Sequence, residues 1–286
     1  MSKVAVVTGA TSGIGFAVTE LLLKEKINVI ALSRDIDKAN QTKEKLKDYI
    51  SDVNLDFVIG DLSDNEQTNK TGENIVKLIK DKYKGKLDIL MNIAGRVTTG
   101  YHENADGNEM TFAVNHLSVF ILTYHLTPLL KKSDDPRVLV VSSLSHYRAS
   151  INWDNIQNKK MYNILKAYKR SKLYNVFFVK EYARRFEMIS TFAIDPGLVR
   201  TNIGAKNTTG IAKLAWKIRS STGTDIYFPA RYMIDVATKE EYKSCSGDYI
   251  KKGKSVKSNP ITYNAGHGRR LWEYTEELTH ISFNNQ

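Results

Sequence analysis

Short runs in which every position is apolar alternate along this chain with longer stretches whose apolar residues recur at helical spacing. Val4-Ala5-Val6-Val7 is such a run, the pattern of a strand buried on both faces. The stretch Phe16 to Lys24 follows it with helical periodicity. Strand-like runs recur at Asn28–Ser33, Asp56–Ile59, Leu87–Asn92, Arg137–Ser142 and Met188–Ile194, with helical stretches between them. That alternation predicts an α/β fold with a doubly wound parallel sheet. The most apolar window, Thr111 to Leu130, is interrupted by Asn115, His116, Tyr124, His125 and Pro128, so it reads as a buried helix and not as a membrane span. A length of 286 residues admits two domains, but no linker, internal repeat or low-complexity tract divides the chain, and a single domain over 1–286 is expected.

The loop after the first strand reads Thr8-Gly9-Ala10-Thr11-Ser12-Gly13-Ile14-Gly15. In a strand-to-helix turn, Gly9 serves the tight bend, Gly13 lets backbone approach a pyrophosphate, and Gly15 lets helix pack closely on strand. The helix N-terminus adds N–H donors and positive potential for the anion. The turn, including Thr11, Ser12 and Ile14, therefore marks a Rossmann-like dinucleotide site. The second strand ends at Ser33 and is followed by Arg34, where a site for NAD(H) usually carries an acid for the ribose 2′-hydroxyl. A guanidinium there suits a 2′-phosphate. NADP(H) is accordingly expected in preference to NAD(H), with the neighbouring Asp35 acting against it.

Tyr168 and Lys172 are four residues apart, which puts phenol and ammonium on one helix face. A phenol with a pKa near about 10 is a poor proton donor and acceptor at neutral pH, and a nearby cation lowers that value. Beside a dinucleotide, the pair is equipment for general acid–base catalysis of hydride transfer, a contribution of about 10² to 10⁴ in rate.

With these motifs, the chain resembles the short-chain dehydrogenases/reductases, and among them the retinol dehydrogenase and carbonyl reductase subgroup. The resemblance runs from about Lys3 to the end of the chain. It rests on the glycine pattern, Asp61-Leu62, Asn92-Ile93-Ala94-Gly95, Asn115-His116-Leu117, Val141-Ser142-Ser143, the Tyr168–Lys172 pair, and Asp195-Pro196-Gly197 followed by Thr201. One departure is Ile93, where the family usually has a second asparagine; it removes a supporting hydrogen bond near the cofactor and no catalytic group.

The resemblance implies that Tyr168 gives the proton, Lys172 tunes it and holds the ribose hydroxyls, Ser143 bonds the substrate oxygen, and Asn115 positions a water connecting Lys172 to solvent. It also implies that Asp61 and Leu62 flank the adenine and that Asn92, Ala94 and Gly95 line the cofactor cleft. Pro196, Gly197 and Val199 would lie against the nicotinamide, with Thr201 near its carboxamide or the pyrophosphate. An insertion at 146–166, with Tyr147, Ile151, Trp153, Ile156, Met161 and Tyr162, is expected to wall a substrate cleft, the alternative being a surface excursion that covers the core. A lid region is expected at 201–225, with Ile203, Ile211, Leu214 and Trp216 as apolar positions. Its basic stretch Lys213 to Arg219 reads as substrate cover, with contact to an anionic membrane surface as the alternative. Helices around 111–130 and 172–185 resemble those through which family members dimerise, and monomers occur in related subgroups, so homodimer and monomer both stay open.

Composition trims this picture. The net charge of +11 invites a nucleic-acid reading, but the basic residues are dispersed among acids and no nucleic-acid module appears. The densest cluster, Lys251-Lys252-Gly253-Lys254 with Lys257, is expected to be a solvated loop. Cys245 is the sole cysteine, which suits a reducing compartment. The first strand begins at Val4, which leaves no room for a signal peptide or N-terminal anchor. A cytoplasmic location without an integral membrane anchor is therefore expected. No metal is expected. The sequence reading is an NADP(H)-dependent reductase of an aldehyde or ketone on an apolar small molecule such as a retinoid, steroid, terpenoid or lipid aldehyde, reversible with the alcohol. The alternative is a non-catalytic NADP(H)-sensing regulator on the same fold.

Overall fold

The computed structural model describes residues 2–199 and 224–285. In chain order they form β1 (Val4–Val7), α1 (Gly13–Lys24), β2 (Asn28–Ser33), α2 (Ile36–Lys45), β3 (Leu55–Ile59), α3 (Asn65–Lys82) and β4 (Ile89–Asn92). The short α4 (Met110–Phe112) passes through a π-helical turn, Ala113–Leu117, into α5 (Ser118–Leu130). Then come β5 (Arg137–Val141), α6 (Ile164–Arg185), β6 (Ser190–Asp195), α7 (Tyr227–Thr238), β7 (Tyr249–Lys251), β8 (Lys254–Val256) and α8 (Ala265–Thr279).

The strands make one sheet in the order β3-β2-β1-β4-β5-β6-β7-β8, parallel throughout except for β7 with β8. Side chains alternate across the pleat. Val4, Val6, Leu90, Val138 and Val140 therefore face α3, α5, α6 and α8 on one side, while Ala5, Val7, Ile89, Met91 and Leu139 face α1 and α7 on the other. This is why the strands read as unbroken apolar runs. The chain winds outward in opposite directions from β1 and β4, so a crevice opens beyond the carboxyl ends of these two strands.

The sheet is two strands larger than the alternation predicts. The basic run expected as a solvated loop is the β7–β8 hairpin, with Lys252 at φ 51° and Gly253 at φ 75°, the two positive values a two-residue hairpin turn requires. Three-residue strands are too short to show a period. Trp272 of α8 packs on Phe120 of α5, with ring centres 4.8 Å apart, and on Phe178 of α6 at 5.7 Å. Phe283 joins them, 4.8 Å from Trp272. Among the described residues, no helix is long and apolar enough to cross a membrane.

Candidate active site

The glycine turn joins β1 to α1 at the crevice. Gly9 sits at φ 70° and Gly13 at φ 54°, left-handed conformations that cost glycine little. A Cβ at Gly9 would lie 3.2 Å from both the Cα and the nitrogen of Ala94. A Cβ at Gly15 would lie 2.2 Å from the Gly9 carbonyl oxygen. Ser12 occupies the N-cap of α1 without a side-chain cap, so it leaves the first N–H groups to an outside acceptor. Thr8, whose role the sequence does not announce, is buried, and its hydroxyl accepts from the N–H groups of Ile93 and Ala94, both at 2.9 Å. The loop after β4 is thereby fastened to the glycine turn.

A cavity of about 480 Å³ fills the crevice. Gly9, Thr11, Ser12, Gly13, Ile14 and Gly15 line its middle, together with Ala94 and Gly95; Ser33, Arg34, Asp61 and Leu62 line one end. Ser143, Tyr168 and Lys172 line the other, with Pro196, Gly197 and Val199. Asn92 and Asn115 are not among the lining residues; Asn92 is buried behind the loop and donates to the Thr123 hydroxyl at 3.4 Å. Thr201 and the apolar positions expected in the lid lie outside the described residues.

At the first end, the Asp35 carboxylate accepts from the N–H groups of Asp37 and Lys38 at 3.0 and 3.2 Å and pairs with the Lys38 ammonium at 3.0 Å. It caps α2, and its charge is committed there. Asp61 accepts from the Leu62 N–H at 2.7 Å. Arg96, absent from the sequence expectations, also lines the cavity. Its Nε is buried without a hydrogen-bond partner among the described residues, and burial, aided by the charge of Arg34, lowers its pKa.

At the second end, α6 carries Tyr168 and Lys172 one turn apart. The Lys172 ammonium donates to the Val141 carbonyl at 3.0 Å and lies 5.8 Å from the centre of the Tyr168 ring. Burial pulls its pKa down to about 8. Asn115, in the π-helical turn, accepts from the Arg96 N–H at 2.7 Å and donates to the Arg96 carbonyl and the Ser171 hydroxyl, both at 3.0 Å. Ser171 in turn donates to the Tyr168 carbonyl at 2.8 Å. Asn115 thus ties the loop after β4 to the turn of α6 that holds Tyr168. Ser143 starts the turn that leaves β5, its hydroxyl accepting from the Ser145 N–H at 3.2 Å.

None of the residues of the 146–166 insertion is among those lining the cavity. Ile156 packs in a cluster with Phe112, Leu173 and Tyr174, and Trp153 lies beneath the Arg270 guanidinium at 4.2 Å. Tyr162 donates to the Thr98 carbonyl at 3.0 Å.

A crevice with this glycine turn, a cationic far end and a tyrosine–lysine pair can hold a nicotinamide dinucleotide against an acid–base group. The short chain dehydrogenase family model matches residues 3–212. The chain belongs to the short-chain dehydrogenases. Within the family it falls in the retinol dehydrogenase subgroup. It is 32% identical to retinol dehydrogenase 12 of Bos taurus over 281 residues, covering 98% of this chain and 87% of that one. It is 30% identical to polyprenol dehydrogenase of Homo sapiens over 299 residues, 98% and 86% of the two chains. Among solved structures, an uncharacterized protein from Mycobacterium paratuberculosis superposes with a TM-score of 0.76 at 25% identity, over 98% of this chain and 94% of that one. An alcohol dehydrogenase from the archaeon Thermococcus sibiricus, complexed with 5-hydroxy-NADP, shares the fold with a TM-score of 0.66 at 17% identity, over 90% and 100%. This short-chain dehydrogenase is an oxidoreductase of the alcohol and carbonyl pair, and its fold implies a nicotinamide cofactor.

Proposed function

We propose that the protein is an NADP(H)-dependent reductase of an aldehyde or ketone on an apolar small molecule, able to run in reverse on the alcohol. The observation that carries the cofactor choice is the state of Asp35. Asp35, the acid that follows Arg34, is engaged by α2 and Lys38, which leaves the guanidiniums of Arg34 and Arg96 to meet a 2′-phosphate.

When bound, the nicotinamide supplies or takes a hydride. The chain's own residues handle the oxygen and its proton. Tyr168 gives its proton to the substrate oxygen as negative charge develops there. Lys172, a cation held in a dry site, stabilises the resulting phenolate and bonds the ribose hydroxyls. Ser143 donates to the same substrate oxygen and fixes it. Asn115 holds the loop and the helix that carry the pair in register, beside a water through which Lys172 reaches solvent.

The substrate reading draws on Leu198, Val199 and Ile226 at this end of the cavity, and on relatives named for retinol and polyprenol, both apolar alcohols. The packed faces of α5 and α6 favour a monomer, because Trp272 and Phe283 of the same chain cover Phe120 and Phe178. The reading places the enzyme in the cytoplasm, where its single cysteine stays reduced.

The test is a steady-state series with NADPH and with NADH on straight-chain aldehydes of increasing length, then on ring-bearing ones. Each buried methylene contributes about 0.8 kcal/mol, so kcat/KM rises with chain length until the cleft is full, and NADPH outperforms NADH. Preference for small anionic carbonyls contradicts the substrate reading. Binding of NADPH without turnover across the panel favours a regulator.

A further inference from the structure

His146 is buried three residues beyond Ser143, and both its ring nitrogens are engaged. The Asn259 backbone N–H donates to Nε2 at 3.1 Å. A backbone N–H only donates, so Nε2 carries a lone pair, and a neutral imidazole then holds its proton on Nδ1. Nδ1 lies 2.7 Å from the Ser143 carbonyl oxygen, an acceptor. Two independent contacts therefore require the same tautomer.

The surrounding bonds reinforce it. The Asn259 side-chain amide donates to the carbonyls of His146, Tyr147 and Ala149 at 3.0, 3.3 and 3.0 Å, and its oxygen accepts from the Ile261 N–H at 3.2 Å. Tyr147 donates to the Lys257 carbonyl. The His146 ring lies against Tyr147 at 4.2 Å and Tyr249 at 4.4 Å. The turn that starts at Ser143 is thus bound to the segment after β8, which is remote in sequence.

We propose that His146, as the neutral Nδ1–H tautomer, is the positioning residue for Ser143, clamping the serine turn to Asn259. An imidazolium would set a second N–H against that of Asn259 and break the clamp. Burial opposes the imidazolium most strongly and lowers the His146 pKa, while the Ser143 carbonyl and the charge of Asp195, at the end of β6, favour it less. The other titratable groups facing the ring are the phenols of Tyr147, on its own turn, and Tyr249, on β7, both raised by burial and so neutral.

The inference rests on Ser143 bonding the substrate oxygen, so the experiment separates the two claims. NADPH affinity by fluorescence titration and kcat with decanal are measured for Ser143→Ala, His146→Phe and His146→Asn, the last retaining a donor at the Nδ1 position. Misplacement of a reacting group costs on the order of 10²-fold in rate. His146→Phe is expected to lose about that much kcat with NADPH affinity unchanged, and His146→Asn to recover most of it. Full activity in Ser143→Ala removes the role of Ser143 and the inference with it. An inactive Ser143→Ala beside a fully active His146→Phe overturns the inference alone. Should His146→Phe not fold, ¹⁵N-histidine NMR of the unmodified protein decides. A neutral Nδ1–H signal at pH 7 supports the clamp, and an Nε2–H or imidazolium signal at pH 7 overturns it.

Discussion

The α-carbon of Gly15 is so close to Gly9 that a Cβ on it would lie 2.2 Å from the Gly9 carbonyl oxygen and 2.7 Å from its carbon. Both contacts are to backbone, which cannot swing aside as a side-chain tip can. Gly15→Ala must move the start of α1 away from β1 and disturb the anion site at the same time. Overpacking of this kind costs typically about 1–3 kcal/mol. Thermal unfolding should show that loss, and NADPH titration a weaker cofactor complex; unchanged values in both would mean that the turn tolerates a side chain.

Lys172 and Val141 make a second, opposite case. The carbonyl that accepts from the Lys172 ammonium also accepts from the Asn175 amide at 3.2 Å, so Lys172→Met does not orphan it. Burial lowers the ammonium from 10.5 to about 8, a shift equivalent to about 3 kcal/mol against the charged form. Removing a buried charge in favour of an apolar group of similar length is often stabilising. The Met variant is therefore expected to unfold at a higher temperature near neutral pH while losing turnover. The sign with pH follows: between about 8 and 10.5 the unfolded chain binds more protons at this site, so the wild type gains stability as pH rises through that window. The difference between wild type and variant should shrink accordingly, and a pH-independent difference would contradict the assignment.

Arg34 and Arg96 share one end of the cavity, and burial together with the charge of Arg34 depresses the pKa of Arg96. A charge-assisted hydrogen bond contributes about 1.5–3 kcal/mol. Arg34→Ala and Arg96→Leu should each weaken NADPH by about that amount and NADH far less, with a double variant that is not the sum of the two. Equal losses for both cofactors in calorimetric titrations would place the guanidiniums away from the 2′-phosphate.

Much of this was legible along the chain because it is local. The six long-axis strands announce themselves by unbroken apolar runs, the glycine turn by its position between strand and helix, and the Tyr168–Lys172 pair by its helical spacing. What was hidden depends on long-range closure. Nothing near Asn115 in sequence points to Arg96 or Ser171, and nothing near His146 points to Asn259. Arg96 could have been noticed as a charge directly after the Asn92–Gly95 motif, a place where only a ligand or a buried acid would compensate it. The β7–β8 hairpin reads as loop because its strands are only three residues each and the basic run Lys251 to Lys254 spans the turn between them. Trp153 and Ile156 look like cleft residues in a list of apolar positions, and only packing against α6 and α8 shows that they cover core.

Tyr168→Phe measures the central claim most directly, since it removes one oxygen and keeps the ring. With NADPH affinity and aldehyde-dependent NADPH oxidation determined on the same preparation, the variant should bind the cofactor as the wild type does and lose turnover by about 10² to 10⁴, the range of a general acid–base group. Turnover equal to wild type, with the fold intact, would show that the proton comes from elsewhere and would remove Tyr168 from the chemistry.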